Sequence, residues 1–363
     1  MNAAHLEACS FPEWYPLFRE HTFASQILPL NPAAVEYLLA DGVFLPDANT
    51  VYPTRGQIDP YADEDDYQRW PEEDQEDGDS DGGGDGEEGG AVKQVVCFPE
   101  LEAAMRSAIE ELGGRVVPKL NWSCPKDATW VSQCQTLACS SPGEVLLLLK
   151  SSDRAAHDLS AAWQGLPGSP PPPVLVLREF FDLQPWMEFR CFVAAGRVVG
   201  ISQRDVAAYF PELQEREDDI ADAILTFHEQ HVQGVFGLDN YVMDVYLSKK
   251  MRVYIMDFNP VGGTTQPLLF TWEELPFDMR ALMSGVDDAG DGEAAQVDGE
   301  GAASSWTEGE VDVRFITEPV AIRPGGRAAY GVPFDFADTS EGSAVDALIK
   351  SMQAAEAAQQ QGE

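Results

Sequence analysis

Residues 240–260 restrict the fold of this chain more than any other stretch. Two apolar arms, Tyr241-Val242-Met243-Asp244-Val245-Tyr246 and Val253-Tyr254-Ile255-Met256-Asp257-Phe258-Asn259, flank the polar break Ser248-Lys249-Lys250. Their β-branched and aromatic content predicts two strands, with the Lys pair as the turn. A turn centred there sets Asp244 directly across from Asp257, and side-chain alternation puts Asn259 on the same face. Like charges directly opposite each other destabilise a sheet unless a cation lies between them. Carboxylate and amide oxygens without His or Cys select a hard ion, and Mg²⁺ typically takes one or two carboxylates while phosphate and water fill the rest. The hairpin thus points to a nucleotide site, and on these residues alone an exposed hairpin with solvated acids remains equally open.

The rest of the chain bounds the classes available. Its 363 residues, 44% of them hydrophobic, can bury a substantial core in one large or two moderate domains. No apolar run reaches the roughly 18 residues of a membrane span, and Met1-Asn2-Ala3-Ala4-His5-Leu6-Glu7 lacks the basic and apolar regions of a signal peptide, so a soluble cytosolic protein is expected. Cys9, Cys97, Cys124, Cys134, Cys139 and Cys191 show neither CxxC pairs nor His companions at zinc spacing, which predicts reduced thiols, no disulfides and no zinc.

A net charge of -39 argues against direct nucleic-acid binding, which needs Lys and Arg against phosphates. Most of the charge is local. Fifteen acids against Arg69 between Asp59 and Glu88 give -14, nine acids between Asp287 and Asp312 give -9, and the remainder of the chain therefore carries -16.

These shifts define the organisation. Residues 50–91, ending in Asp79-Ser80-Asp81-Gly82-Gly83-Gly84-Asp85-Gly86-Glu87-Glu88-Gly89-Gly90, cannot offset their ordering entropy by burial and read as a disordered acidic insert. Its glycines alternate with carboxylates and cannot cradle an anion. Residues 284–305 read as a second disordered acidic loop, and 344–363 as a helical or frayed tail. The core is expected in 1–49, 92–283 and 306–343.

Within the core, Phe98 to Ile109 has a helical pattern stopped by Gly113-Gly114, followed by a strand at Arg115 to Leu120. Glu144 to Lys150 is an apolar run, and Val174-Leu175-Val176-Leu177 is a buried strand by composition. Met187 to Phe192 and Val198 to Ser202 form a hairpin around Gly196, and Asp218 to Gln230 is a helix. Strands outnumber helices and adjoin by tight turns, so the expected fold class is α+β with largely antiparallel sheets.

Several chemistries are excluded. No Walker A sequence is present. Gln203-Arg204-Asp205 and Asp257-Phe258-Asn259 look superficially like kinase motifs, but Phe210 stands where the catalytic-loop Asn belongs and no glycine-rich loop precedes them. No GxSxG occurs, and His228 and His231 lie outside any hydrolase-like context. What remains is a set of charges on otherwise apolar strands: Lys119, Arg178, Glu179, Glu188, Arg190, Arg204 and Asp205. Burying such groups requires partners or ligands, and phosphate binding and internal ion pairs are both open.

A resemblance separates them. Trp14-Tyr15-Pro16, Pro118-Lys119-Leu120-Asn121-Trp122-Ser123, Lys150-Ser151-Ser152-Asp153, Leu175-Val176-Leu177-Arg178, Glu188-Phe189-Arg190-Cys191-Phe192, Gly200-Ile201-Ser202-Gln203-Arg204-Asp205, Asp257-Phe258-Asn259-Pro260 and Leu268-Leu269-Phe270-Thr271-Trp272-Glu273-Glu274-Leu275 resemble, in order, the cell division cycle protein 123 family. That resemblance implies an ATP-grasp fold, two α+β lobes sandwiching ATP with Mg²⁺. It also implies an assembly factor that binds the gamma subunit of eukaryotic translation initiation factor 2, and a monomer until that complex forms. Carried over by motif, Asp244, Asp257 and Asn259 hold Mg²⁺ and Lys119 reaches the phosphates. Asn121, Trp122, Cys124 and Asp127 belong to the phosphate-side loop, while Arg178, Glu179 and Phe180 form the hinge at the adenine. Asp182 and Glu188 lie near the ribose side, and Arg190, Arg204 and Asp205 complete the polar wall.

Two positions depart from the family pattern: Gln266 stands where Asp is expected and Cys124 where Ala is expected. The fold alone also admits a carboxylate-amine ligase, since fold does not establish chemistry. On the hairpin picture, Asp257→Ala is expected to abolish Mg-dependent ATP binding while relieving repulsion and leaving the fold near intact.

Overall fold

Strand β3 (Val174–Glu179) organises the molecule because both of its faces are apolar. In the computed structural model, which describes residues 2–40, 98–132, 134–279 and 311–318 together with Leu282, Leu175 and Leu177 enter one hydrophobic core while Val174 and Val176 enter another. Each such side chain, fully buried, contributes about 1.5–3 kcal/mol. An uninterrupted Val-Leu-Val-Leu run is what a strand between two cores requires.

β3 is the centre of a three-stranded antiparallel sheet. On one side it pairs with β1 (Ser25–Pro29), Ser25 facing Arg178; on the other with β2 (Val116–Lys119), Lys119 facing Val176. The Leu175/Leu177 face is covered by α3 (Pro32–Leu39), α4 (Pro99–Glu111), α5 (Pro142–Lys150) and α6 (Asp153–Ser160). In α4, Pro99 sits in the first turn, Leu101, Met105, Ala108 and Ile109 form the buried stripe, and Gly113 and Gly114 stop the helix with φ of 87° and 86°. The apolar run ending at Lys150 is helix α5, not a strand: Ser141 Oγ caps Glu144 N, and Glu144 reaches back to Ser140 N at 2.6 Å.

The second sheet has the order β7-β6-β4-β5-β8, from Val253–Asn259, Tyr241–Leu247, Glu188–Ala194, Arg197–Gln203 and Asp312–Arg314 respectively. All its pairings are antiparallel except β5 with β8. Ala195 and Gly196, with φ of 49° and 72°, turn β4 into β5, and positive φ at both positions suits a two-residue hairpin. One face of this sheet, through Phe189, Cys191, Met243 and Val245, packs on α1 (Ala3–Ala8), the aromatic helix α2 (Phe11–Phe18), α7 (Pro211–Gln214) and α8 (Glu217–Phe227). Phe258 closes that core, stacked on Phe236 at 4.1 Å and edge-on to Trp14. The opposite face carries Phe192 and Val242 against Phe270 and Leu275 at one end, and charged side chains at the other.

The architecture is α+β as expected, with two lobes built on largely antiparallel sheets. The expectations for residues 50–91, 284–305 and 344–363 lie outside the described residues, as do 306–310 and 319–343.

Candidate functional site

The hairpin β6-β7 pairs Asp244 with Asp257, and Asn259 with Val242, so all three oxygen-bearing side chains share one face. The register from the turn is not the one that symmetry about the turn would produce. Leu247 to Val245 pair with Val253 to Ile255, a pattern that would oppose Asp244 to Met256, and an irregularity between Asp244 and Val245 shifts the pairing by one. A β-bulge of this kind re-aims side chains, and here it turns Asp257 toward the cleft.

Each carboxylate has its own side-chain cation. Arg190, on the adjacent β4, donates through Nε and Nη2 to the two oxygens of Asp244, both at 2.8 Å, and through Nη1 to the Gln266 carbonyl at 2.7 Å. Arg204 adds a contact to Asp244 at 3.4 Å. Lys119, at the end of β2 and 1% exposed, donates to Asp257 at 2.7 Å and to the Trp122 carbonyl. Arg178 crosses from β3 to the Met256 carbonyl at 2.8 Å. The two sheets are therefore joined at β7 by polar contacts, so the facing acids are not left to repel each other.

Burial pushes the Asp244 carboxyl up, but Arg190, Arg204 and Lys126 together pull it well below the usual carboxylate range. For Asp257 burial wins over Lys119 and Arg178, and its affinity for a proton is raised. The same burial raises Asp158 on α6, which accepts from Trp122 N, Ser123 N and Ser123 Oγ at 3.1, 2.7 and 2.7 Å. Asp158 thereby fixes the loop whose Trp122 carbonyl receives Lys119. Trp122 is held further by its indole N–H on the Leu6 carbonyl at 2.8 Å.

The cleft so formed is lined by Lys126, Arg154, Arg178, Arg190 and Arg204 against Asp158, Glu188, Asp244 and Asp257. Lys119 stands behind Asp257. In a chain of net charge -39, a cleft whose cations outnumber its acids is fitted to an anion. Arg178 is buried, and its Nε has no hydrogen-bond partner among the described residues.

The donor set also fits a hard cation in company with phosphate: two carboxylates and one amide oxygen, with no His or Cys among them. Among the described residues no group of three or more His, Cys, Asp or Glu side chains could hold a metal by itself.

Of the residues expected at the site, Trp122, Cys124, Arg178, Glu188, Arg190, Arg204, Asp244, Asp257 and Asn259 line the cleft. The others lie elsewhere. Asn121 ties β3 to the β2 loop, accepting from Val174 N and donating to the Pro172 carbonyl. Asp127 holds the start of α6 through Ser152 Oγ and Arg154 N. Glu179 ends β3 on the Ala24 carbonyl, Phe180 lies under the Arg115 guanidinium, and Asp182 is exposed. Asp205 caps a local turn at Ala207 N.

Sequence reasoning picks out none of Lys126, on the helical turn after Cys124, or Arg154, His157 and Asp158, on α6, because nothing local in these polar segments marks a site. Thr264 and Thr265 were missed as well. Gly262 and Gly263, with φ of 76° and 60°, turn the chain back after β7, and these threonines join the cleft wall. The one signal for them is the Gly-Gly after Asn259-Pro260.

The chain is similar to known proteins over most of its length. The D123 family profile matches residues 14–340. A Xenopus laevis protein named translation initiation factor eIF2 assembly protein is 33% identical over 345 residues, covering 94% of this chain and 93% of its own. A protein of the same name from Dictyostelium discoideum is 34% identical over 360 residues, covering 92% of each. The structure of C-terminally truncated Cdc123 from Schizosaccharomyces pombe superposes with a TM-score of 0.58 at 31% identity, covering 76% of this chain and 92% of that one.

Proposed function

The chain belongs to the D123 family, and from that premise we propose that it is an ATP- and Mg²⁺-binding assembly factor for eukaryotic translation initiation factor 2. In this reading it engages the gamma subunit as a cytoplasmic monomer. The observation that supports the nucleotide part is the cationic cleft between the two sheets of an otherwise strongly acidic chain.

Asp244, Asp257 and Asn259 would hold Mg²⁺, which when bound supplies charge neutralisation for the phosphates. Lys119 would serve the phosphates from the small sheet, and Arg178, Arg190 and Arg204 complete the anion wall. Trp122 and Cys124, on the loop fixed by Asp158, form the phosphate side, while Asn121 and Asp127 support that loop from behind. Glu179, Phe180 and Asp182 sit on the connection between the lobes, where the adenine would meet backbone groups, and Asp205 steadies the turn carrying Arg204. Gln266 contributes through its carbonyl to Arg190; a backbone acceptor tolerates the departure from Asp at that position.

Lys119 and Arg178 of one sheet and β7 of the other meet at this cleft, so a polyanion bound there joins the lobes and fixes the surface presented to the partner. The nucleotide then acts as a structural ligand. Purified chain should capture the isolated gamma subunit, and more of it with Mg²⁺ and ATP. Absence of capture under both conditions rules the proposal out.

A further inference from the structure

We infer that the cleft rejects a bare divalent cation and takes the metal only together with a polyphosphate, with Lys119 as the residue that couples the two. The inference rests on the nucleotide reading above. Its basis is the set of ion pairs already made by the hairpin carboxylates. Lys119 holds Asp257, and Arg190 and Arg204 hold Asp244, so three cations face two carboxylates.

A bare divalent ion approaching Asp244 and Asp257 meets a cluster that is already net positive. It must also displace Lys119 Nζ from Asp257, and Lys119 is 1% exposed, so moving its charge off the carboxylate is costly. A polyphosphate reverses both conditions. The metal–polyphosphate complex is a net anion, and its oxygens offer Lys119, Arg190 and Arg204 partners within the same cleft, which frees the carboxylate lone pairs for the metal. Lys119 keeps its bond to the Trp122 carbonyl during this exchange, so it needs to give up only one partner. Metal and polyphosphate therefore bind with positive coupling, and by linkage each raises the affinity of the other by the same factor.

Calorimetric titration of the full chain with Mn²⁺, alone and with a saturating non-hydrolysable ATP analogue, tests this. The wild type should bind Mn²⁺ at least about tenfold more tightly with the analogue than without it. Lys119→Met should bind Mn²⁺ alone about tenfold more tightly than the wild type does, with a smaller effect of the analogue. Coupling below about threefold in the wild type, or an unchanged affinity for Mn²⁺ alone in Lys119→Met, overturns the inference. If Lys119→Met fails to fold, Arg204→Gln makes the same test at Asp244. Failure of the analogue to bind the wild type overturns the nucleotide reading instead, and the metal-alone arms still decide whether Lys119 guards the carboxylates.

Discussion

Arg190→Met isolates the electrostatic centre of the structure. Arg190 is 4% exposed and makes three donations, two to Asp244 and one to the Gln266 carbonyl. Methionine fills much of the volume but removes the charge, so Asp244 keeps Arg204 at 3.4 Å and the Asn259 amide at 3.5 Å. Breaking a buried pair by removing one partner costs about 3–5 kcal/mol. At an m-value of roughly 2–3 kcal/mol/M in urea, the unfolding midpoint should fall by about 1.5 M at neutral pH.

The pH dependence supplies the sign. In the wild type the folded Asp244 has a depressed pKa, so its contribution is present above the ordinary carboxylate value and is lost as pH falls through the folded one. Without Arg190, burial dominates and the folded pKa rises above the ordinary value, so the variant loses stability as pH rises through that range. The gap between the two proteins must therefore be largest at neutral pH and shrink toward pH ~4, where the carboxyl protonates. Urea melts at both pH values measure it. A midpoint change under about 0.3 M at neutral pH, or an equal change at both, would refute the reasoning. The double variant Arg190→Met/Asp244→Leu should recover much of the loss, because removing both charges leaves no buried ion unpaired.

Asp257→Ala strips the buried Lys119 of its carboxylate, so it should lose metal-dependent ATP binding in calorimetry and also about 3 kcal/mol of stability; this differs from the near-intact fold expected from the hairpin alone, and unchanged ATP affinity would contradict the site. Gly200→Ala places a Cβ 3.0 Å from Phe270 Cζ and 3.4 Å from Leu275 Cδ2, and should lower stability by about 1–2 kcal/mol, with a wild-type melting temperature as the refuting result. Burial lowers the His228 pKa to about 4. Stability should thus be full above the ordinary value near 6.5 and fall by about 3 kcal/mol as pH drops to 4, a slope that His228→Gln should flatten in urea melts across that range.

What could be read from the sequence follows physical rules of different reach. Strand periodicity found Val174–Leu177 and the faces of Glu188 and Arg190, because alternation is a local property. The pairing of Asp244 with Asp257 was anticipated by centring the turn, yet the structure reaches it through a bulge that no local pattern announces. The apolar run to Lys150 fits either periodicity, and its Ser141 cap and Pro142 are what mark it as a helix. The partners of the acids were illegible from the hairpin: Lys119 lies 138 residues from Asp257, and Arg190 54 from Asp244. Asp127 and Asp158 illustrate the same limit. Asp127 is read only through the resemblance and Asp158 not at all, and tertiary contacts alone show that Asp158 holds the loop beside the cleft and Asp127 the start of α6.

The central claim, a nucleotide-dependent factor for assembly of initiation factor 2, is tested most directly by the affinity of the purified chain for the gamma subunit, measured calorimetrically with and without saturating Mg²⁺ and ATP. Saturable binding is expected, tightening by about fivefold or more when the nucleotide is present, with a matching gain in ATP affinity when the subunit is present. Binding that is absent, or that has the same affinity in both conditions, would contradict it.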